Sequence, residues 1–299
     1  MSVTTAPETP VNRNTRAILN VVIGTALFSL FFASGKFAGD GASAFQITFL
    51  RYIGGLATIL TVAKIKGLTL RSFIGPSSKS HFLRAATGCF GGVALIHASS
   101  EMPVVDVSTI GLLYVVMVIP LGVIFLKERI WPLQWAGIVL SSIGAGVIMV
   151  SKGAFQSFDI AYFLPAGVAL GGAVLLAFEG VLIRVLSLRD GAMSSLLHVN
   201  VFGLILMAVP AFATWENTDL VYNAQFLLWG PVAIAAQFFI IQGYRLADVS
   251  IVGPVDYTWL VFAAAVGFFF FGEIPSPDVV IGASLIAAGG VVLCLVKAR

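Results

Sequence analysis

The chain has 299 residues, of which 59% are hydrophobic and only 10% charged, and its formal net charge is +3. Soluble domains carry roughly a quarter charged residues, so these proportions exclude an ordinary water-soluble protein and make lipid the solvent of most of the chain. The small positive excess argues against a nucleic-acid binder, and Cys89 and Cys294, both inside apolar runs, suggest neither a disulfide framework nor a metal site.

A hydrocarbon core of about 30 Å needs roughly 20 apolar helical residues per crossing. Apolar runs bounded by charge, Gly or Pro therefore predict an all-α integral membrane protein with ten transmembrane helices. The predicted spans lie near residues 17–38, 44–63, 82–100, 105–126 and 132–150, then 160–183, 192–214, 224–244, 249–271 and 277–296. A polar tail, residues 1–16, precedes the first, and a polar link runs from Lys64 to His81. Arg13 and Arg16, followed by Ala33, Ser34 and Gly35, give the first span the outline of a signal peptide. Its apolar run from Ala17 to Ala33 is longer than the usual one, however, and its removal would break the repeat described below.

Orientation follows from basic residues, which concentrate in cytoplasmic loops. With the N-terminus inside, Lys36 and Lys152 fall in outward loops and Arg51 falls within a span. The other Lys and Arg residues, Arg71, Arg84, Arg184, Lys297 and Arg299 among them, fall on the cytoplasmic side. The expectation is a multi-pass protein of a bacterial-type inner (plasma) membrane with both termini cytoplasmic.

The two halves end alike. GVIFLKERIWPLQWAGIVLSSIGAGV begins at Gly122, and GFFFFGEIPSPDVVIGASLIAAGGVV begins at Gly267. One spacing aligns Gly122 with Gly267, Glu128 with Glu273, Pro132 with Pro277, Gly137 with Gly282 and Gly144 with Gly289. Matches of Gly, Glu and Pro at one spacing outweigh the Leu, Val and Phe matches that apolar helices share by chance. A repeat of five spans crosses an odd number of times, so its second copy must lie inverted, giving a 5+5 architecture. The expected division is a first repeat at 17–150, a linker at 151–159 and a second repeat at 160–297. Inverted repeats are how many carriers build inward-open and outward-open states of similar energy around a midplane site.

At these residues the sequence resembles the EamA-type branch of the drug/metabolite transporter superfamily. The resemblance rests on Pro120 in an apolar helix, the GxxFLKE end at Glu128, and the Gly-rich helix with Gly137 and Gly144. The second copy supplies Glu273, Gly282 and Gly289, and Arg51 matches an arginine common in the first half. Within the superfamily the chain looks most like the YddG-type exporters of aromatic and other amino acids. It departs where Ala265 stands opposite Pro120. The resemblance implies a basket of spans 1 to 4 and 6 to 9 around a central cavity, with spans 5 and 10 peripheral.

Catalytic motifs are absent: there is no HExxH, GxSxG or P-loop, and His81, His97 and His198 lack metal-site spacing. The reading is therefore of a protein that is not an enzyme and has no cofactor or metal. Ionisable groups inside a span cost roughly 2.5 to 3.5 kcal/mol on insertion scales and usually face a cavity or a partner. Glu179 is the clearest, as a contact for a substrate ammonium or a coupling proton; pairing with nearby Arg184 is the structural alternative. Asp256 follows Pro254 in VGPVDYTWL, where a bend can expose backbone, and Arg51 and His97 carry the same ambiguity. Tyr114, Gln237, Gln242, Tyr257 and Trp259 complete the candidate substrate contacts, since rings stack and amides give directional hydrogen bonds.

Pro120, Pro210, Pro231 and Pro254 are the candidate kinks for gating, while Gly88 with Gly92 and Ser142 with Gly146 suggest close helix packing. Glu128 and Glu273 are expected to fix loops, and Trp131, Trp215 and Trp229 to anchor helix ends at the interface. The resulting expectation is a secondary transporter exporting amino acids or related small metabolites by alternating access. A fused pair of inverted halves can form the cavity as a monomer, and its partners are a small-molecule substrate and the lipid bilayer. An uncoupled facilitator and a membrane scaffold or sensor without flux are the competing readings.

Overall fold

A computed structural model describes residues 10–38, 41–68, 73, 77–156 and 159–296, and among these residues it contains α-helices and short 3-10 segments but no strand. The tail before residue 10, Arg71, Lys297, Arg299 and the Lys36 side chain, all used in the orientation argument, lie outside the described residues. The first half holds α1 (Pro10–Ala38), α2 (Ala44–Ile65), α3 (Ser78–Glu101), α4 (Val104–Gly111), α5 (Leu113–Leu126) and α6 (Pro132–Ser151). The second holds α7 (Phe163–Arg189), α8 (Ala192–Ala213), α9 (Leu220–Leu246), α10 (Val249–Val252), α11 (Thr258–Phe271) and α12 (Pro277–Cys294).

Eight helical stretches among the described residues are long and apolar enough to cross a bilayer, against the ten expected. Of the two further long helices, α3 carries Lys79, His81, Arg84, His97 and Glu101, and the side chains of α1 are described only over residues 13–30, which open with Arg13, Asn14 and Arg16. Ile124, Leu164, Val209, Leu228 and Phe269 are each more than half exposed. Such side chains distributed around a helical bundle form a surface for lipid, in which helices are favoured because they satisfy their own backbone hydrogen bonds.

The ends of the helices repeat between the halves. Pro132 and Pro277 each open a helix at its first position, where a missing N–H costs nothing. Lys127 after α5 and Gly272 after α11 both adopt left-handed backbone, with φ of 57° and 68°. The next residue then turns its N–H back to the carbonyl of Gly122 (3.3 Å, from Glu128) or Gly267 (3.0 Å, from Glu273). This is the wrapped C-terminal cap that a left-handed residue permits.

Packing repeats as well. α1 packs on α9 as α3 packs on α7; α2 packs on α9 as α3 packs on α8; α5 packs on α7 as α11 packs on α1. α2 with α8 and α6 with α12 are self-matching pairs. Exchanging each helix of the first half for the sixth helix after it maps this whole set of contacts onto itself.

At the α6–α12 crossing the repeated glycines meet each other. A Cβ on Gly144 would lie 2.5 Å from the Gly282 carbonyl oxygen, and one on Gly282 2.6 Å from that of Gly144. Gly137 and Gly289 stand in the same reciprocal relation. The crossing is therefore a backbone-to-backbone contact that small residues alone allow. The expected Ser142–Gly146 pair plays no such part, since a Cβ on Gly146 would meet nothing within 4 Å.

Breaks in the helices also correspond. α4 gives way to α5 at Leu112, and α10 gives way to α11 through a 3-10 segment, Gly253–Tyr257. Leu112 and Tyr257 are equivalent under the spacing that pairs the glycines. Pro254 lies in the second break, but Pro120, Pro210 and Pro231 sit inside uninterrupted helices. In the fourth span the interruption falls eight residues before Pro120, at a position fixed by the repeat and without a proline.

Candidate functional site

Between the halves lies a cavity of about 360 Å³ whose walls come from α1, α2 and α3 on one side and α7, α8 and α9 on the other. No lining residue comes from α4, α5, α10 or α11, so spans 4 and 9, expected in the basket, stand behind its wall. The lining is mostly apolar, with Leu95, Ile96, Leu176, Met207 and Ile234 among it, and it is interrupted by Arg51, Glu179, Asn200 and Gln237.

Glu179 is held by a residue that the basic-residue count misplaced. Arg84 is fully buried in α3, and its Nε lies 3.9 Å from Glu179 Oε1. Its other nitrogens donate to Ser195 Oγ and to Gln237 Oε1, both at 2.7 Å. A guanidinium removed from water needs an opposite charge and acceptors for its donors: Glu179 supplies the charge and Ser195 and Gln237 the acceptors, while Nε makes no hydrogen bond. Arg84 thus belongs to the core and not to a cytoplasmic loop. It lies within the apolar run that defines the third span, and weighing it as Arg51 was weighed would have found it.

Arg184, the alternative partner for Glu179, instead donates to the Tyr244 carbonyl (2.6 Å) and to Asp248 Oδ1 (3.0 Å). Arg51 lines the cavity with its guanidinium carbon 4.6 Å from the centre of the Tyr52 ring, a cation–π distance. The Tyr52 hydroxyl in turn lies 3.7 Å from Cys89 Sγ. Gly88 and Gly92 open this side of the cavity and do not pack helices. A Cβ on Gly88 would meet Glu179 Oε2 at 2.6 Å, and one on Gly92 would meet nothing within 4 Å.

Of the other candidates, His97 is exposed on α3 and Gln242 is half-buried on α9, and neither lines the cavity. Tyr114, Asp256, Tyr257 and Trp259 gather at a second place, the break in the ninth span. Tyr114 and Tyr244 both donate their hydroxyls to Asp256 Oδ2, at 3.0 and 3.2 Å. Tyr257 is buried in an apolar cluster with Val115 and Leu260, and Trp259 packs against that cluster. α1 ties itself to the same break: Thr25 Oγ1 lies 2.9 Å from Thr258 Oγ1, and Ser29 donates to the Trp259 carbonyl at 3.3 Å.

Glu128 fixes a loop in a specific sense. Its two carboxylate oxygens accept from the backbone N–H groups of Val249 (2.8 Å) and Ser250 (3.0 Å), capping the first turn of α10. Glu273, its repeat equivalent, is exposed. Among the described residues no group of three or more His, Cys, Asp or Glu side chains is arranged to hold a metal ion.

Comparison with known proteins agrees with this architecture. The sequence matches the EamA-like transporter family over residues 15–150 and again over 164–295. It is 23% identical over 274 residues to an S-adenosylmethionine uptake transporter of Rickettsia conorii, covering 88% of this chain and 89% of the relative. The pseudopaline exporter of Pseudomonas aeruginosa is 26% identical over 288 residues, covering 94% and 95%. A riboflavin transporter of Brucella anthropi is 24% identical over 264 residues, covering 82% and 88%. One solved crystal structure superposes with a TM-score of 0.81 at 19% identity, covering 96% of this chain and 99% of that one, which shows a shared fold. The two matched segments together span most of the sequence: this chain is a membrane protein of the EamA-like transporter family, a transporter and not an enzyme.

Proposed function

We propose that this chain is a secondary carrier of amino acids or closely related small metabolites, working by alternating access at the central cavity. The observation that carries the reading is the cavity itself. Its volume lies in the range of small-molecule sites, and it places Arg51 and Glu179 on walls that are otherwise largely apolar. A zwitterion with an apolar or aromatic side chain matches that lining: its carboxylate suits Arg51, its ammonium suits Glu179, and its side chain suits the aliphatic surface. The relatives are named for different cargoes and for both uptake and export, so the family supports metabolite transport, and the amino-acid reading rests on the lining residues alone.

The transport cycle we infer uses ten spans in two inverted five-span repeats, residues 17–150 and 160–297 joined by 151–159. The contact pattern that maps onto itself when the halves are exchanged, and the paired breaks at Leu112 and Gly253–Tyr257, support it. Each half being related to the other by a two-fold axis in the membrane plane, opening to one side is the mirror task of opening to the other. One such chain encloses the cavity, so a monomer suffices. Its place in a bacterial-type inner membrane with both termini cytoplasmic follows from the basic-residue distribution, with Arg84 moved into the membrane.

The test is exchange of labelled amino acids by the purified protein in proteoliposomes. Saturable exchange that Glu179→Gln reduces while the protein stays folded is the expected result. Exchange indistinguishable between Glu179→Gln and the unmodified protein would remove Glu179 from the site, and no exchange of any amino acid would overturn the cargo class.

A further inference from the structure

The buried and half-buried carboxylates among the described residues are held in different ways. Asp106 accepts from the Phe155 N–H at 2.6 Å, Glu128 from two backbone N–H groups, and Glu179 faces the Arg84 guanidinium. Asp256 differs from these: it is 8% exposed and its hydrogen-bond donors are two neutral phenols. Among the described residues, the titratable groups bonded to it are Tyr114 from α5 and Tyr244 from α9, with Tyr257 its neighbour along the chain. α1 presents Thr25 and Ser29 to the next two residues of the chain. No Lys, Arg or His among the described residues forms an ion pair with Asp256.

Hydroxyl donors serve a carboxylate and a carboxylic acid alike, so Asp256 can take up and release a proton without losing its partners. Glu179 cannot do so without uncovering a buried guanidinium. Asp256 also stands at the break between α10 and α11, where the helix is already interrupted. Its link to the cavity runs along α9. Tyr244, which binds Asp256, and Gln237, which accepts from Arg84, are seven residues apart and so lie on one face about two turns from each other. Hydrogen bonds to an ionised acceptor are roughly twice as strong as those to a neutral one. Protonation of Asp256 therefore weakens the ties from α5 and α9 to the break.

Building on the carrier reading above, we propose that Asp256 is a proton-coupling site. A proton from water binds its carboxylate on one side of the membrane, loosens the Tyr114 and Tyr244 contacts, and is released to water on the other side after the halves have rocked. The proton site is separate from the solute site, so Asp256 is not itself a substrate contact.

Asp256→Asn keeps the shape and an acceptor for both tyrosines but cannot titrate. In proteoliposomes, a pH gradient is expected to drive amino-acid accumulation by the unmodified protein, and accumulation by Asp256→Asn is expected to fall about tenfold, an ordinary coupling strength. The pH profile of exchange is expected to flatten in the same variant, and Tyr244→Phe is expected to shift it. An Asp256→Asn protein that still accumulates solute under the gradient overturns the proposal, as does an unmodified protein whose exchange ignores pH. Those outcomes leave the carrier reading standing. Should neither protein move solute, infrared difference spectra of the purified protein between acid and alkaline pH decide the proton site independently. A carboxylic-acid stretch that Asp256→Asn abolishes supports it, and one that survives in Asp256→Asn overturns it.

Discussion

Glycines do opposite things at the α6–α12 crossing and at the central cavity. At the crossing, Gly144 and Gly282 press against each other's carbonyl oxygens, so the space where a side chain would be is filled by backbone. At the cavity, Gly88 yields its space to the Glu179 carboxylate and Gly92 yields it to nothing. A four-residue spacing of small residues looks the same in both places. What differs is the neighbour, which the sequence does not name. The crossing joins the ends of the two halves rigidly, while the cavity separates their first three helices by a space for solute.

Substitutions break or sharpen this contrast in a definite order. The largest effect belongs to Arg84→Ala, which leaves Glu179 and Gln237 without their partner. Removing one member of a buried pair costs about 3–5 kcal/mol, and the expected readout is loss of folded, monodisperse protein. Next comes Gly144→Ala, whose Cβ meets backbone that cannot step aside. Overpacking of this kind costs about 1–3 kcal/mol, visible as a lower unfolding temperature with exchange activity lost only in proportion to folded protein.

Lys127→Gly works in the other direction. A non-glycine residue in left-handed backbone costs about 1–2 kcal/mol, and the second half already places Gly272 at the equivalent turn. The variant is expected to unfold at higher temperature, and an unchanged or lower temperature would contradict this account of the turn.

Gly88→Ala faces a clash at nearly the same distance as Gly144→Ala, but against the far end of a flexible side chain. The stability cost is expected to be smaller than that of Gly144→Ala, because the end of the Glu179 side chain can shift slightly while staying beside Arg84. Exchange activity should fall sharply, because the carboxylate is then displaced within the cavity. Equal destabilisation by Gly88→Ala and Gly144→Ala would erase the distinction drawn between the two regions.

Much of the scaffold was legible in the sequence because its determinants are local or strictly periodic. Pro132 and Pro277 open helices, the Gly122 and Gly267 segments close them, and the glycines of α6 and α12 share one spacing. Less of the site was legible. The pairing of Tyr114 with Asp256 joins residues 142 positions apart, and nothing local distinguishes it from two unrelated polar residues in separate spans. Arg84 was misread for the opposite reason: its place near the start of a span resembles an interfacial basic residue, and burial by α7, α8 and α9 is what makes it structural. Glu179, Arg51 and Gln237 do line the cavity because charge and amide groups within apolar runs have few other places to go. Prolines do not mark where the helices break, since α5, α8 and α9 continue through Pro120, Pro210 and Pro231.

The central claim is that one cavity between the halves opens alternately to the two sides of the membrane around its solute. Gly92 lies on its wall with no neighbour in reach, which makes Gly92→Cys, in a chain with Cys89 and Cys294 replaced by alanine, a direct probe. Labelling of that cysteine by a membrane-impermeant maleimide, applied separately to each face of oriented vesicles, is the decisive measurement. The account predicts reaction from both faces and protection by transported solute; reaction from one face alone, or none that solute affects, would contradict it.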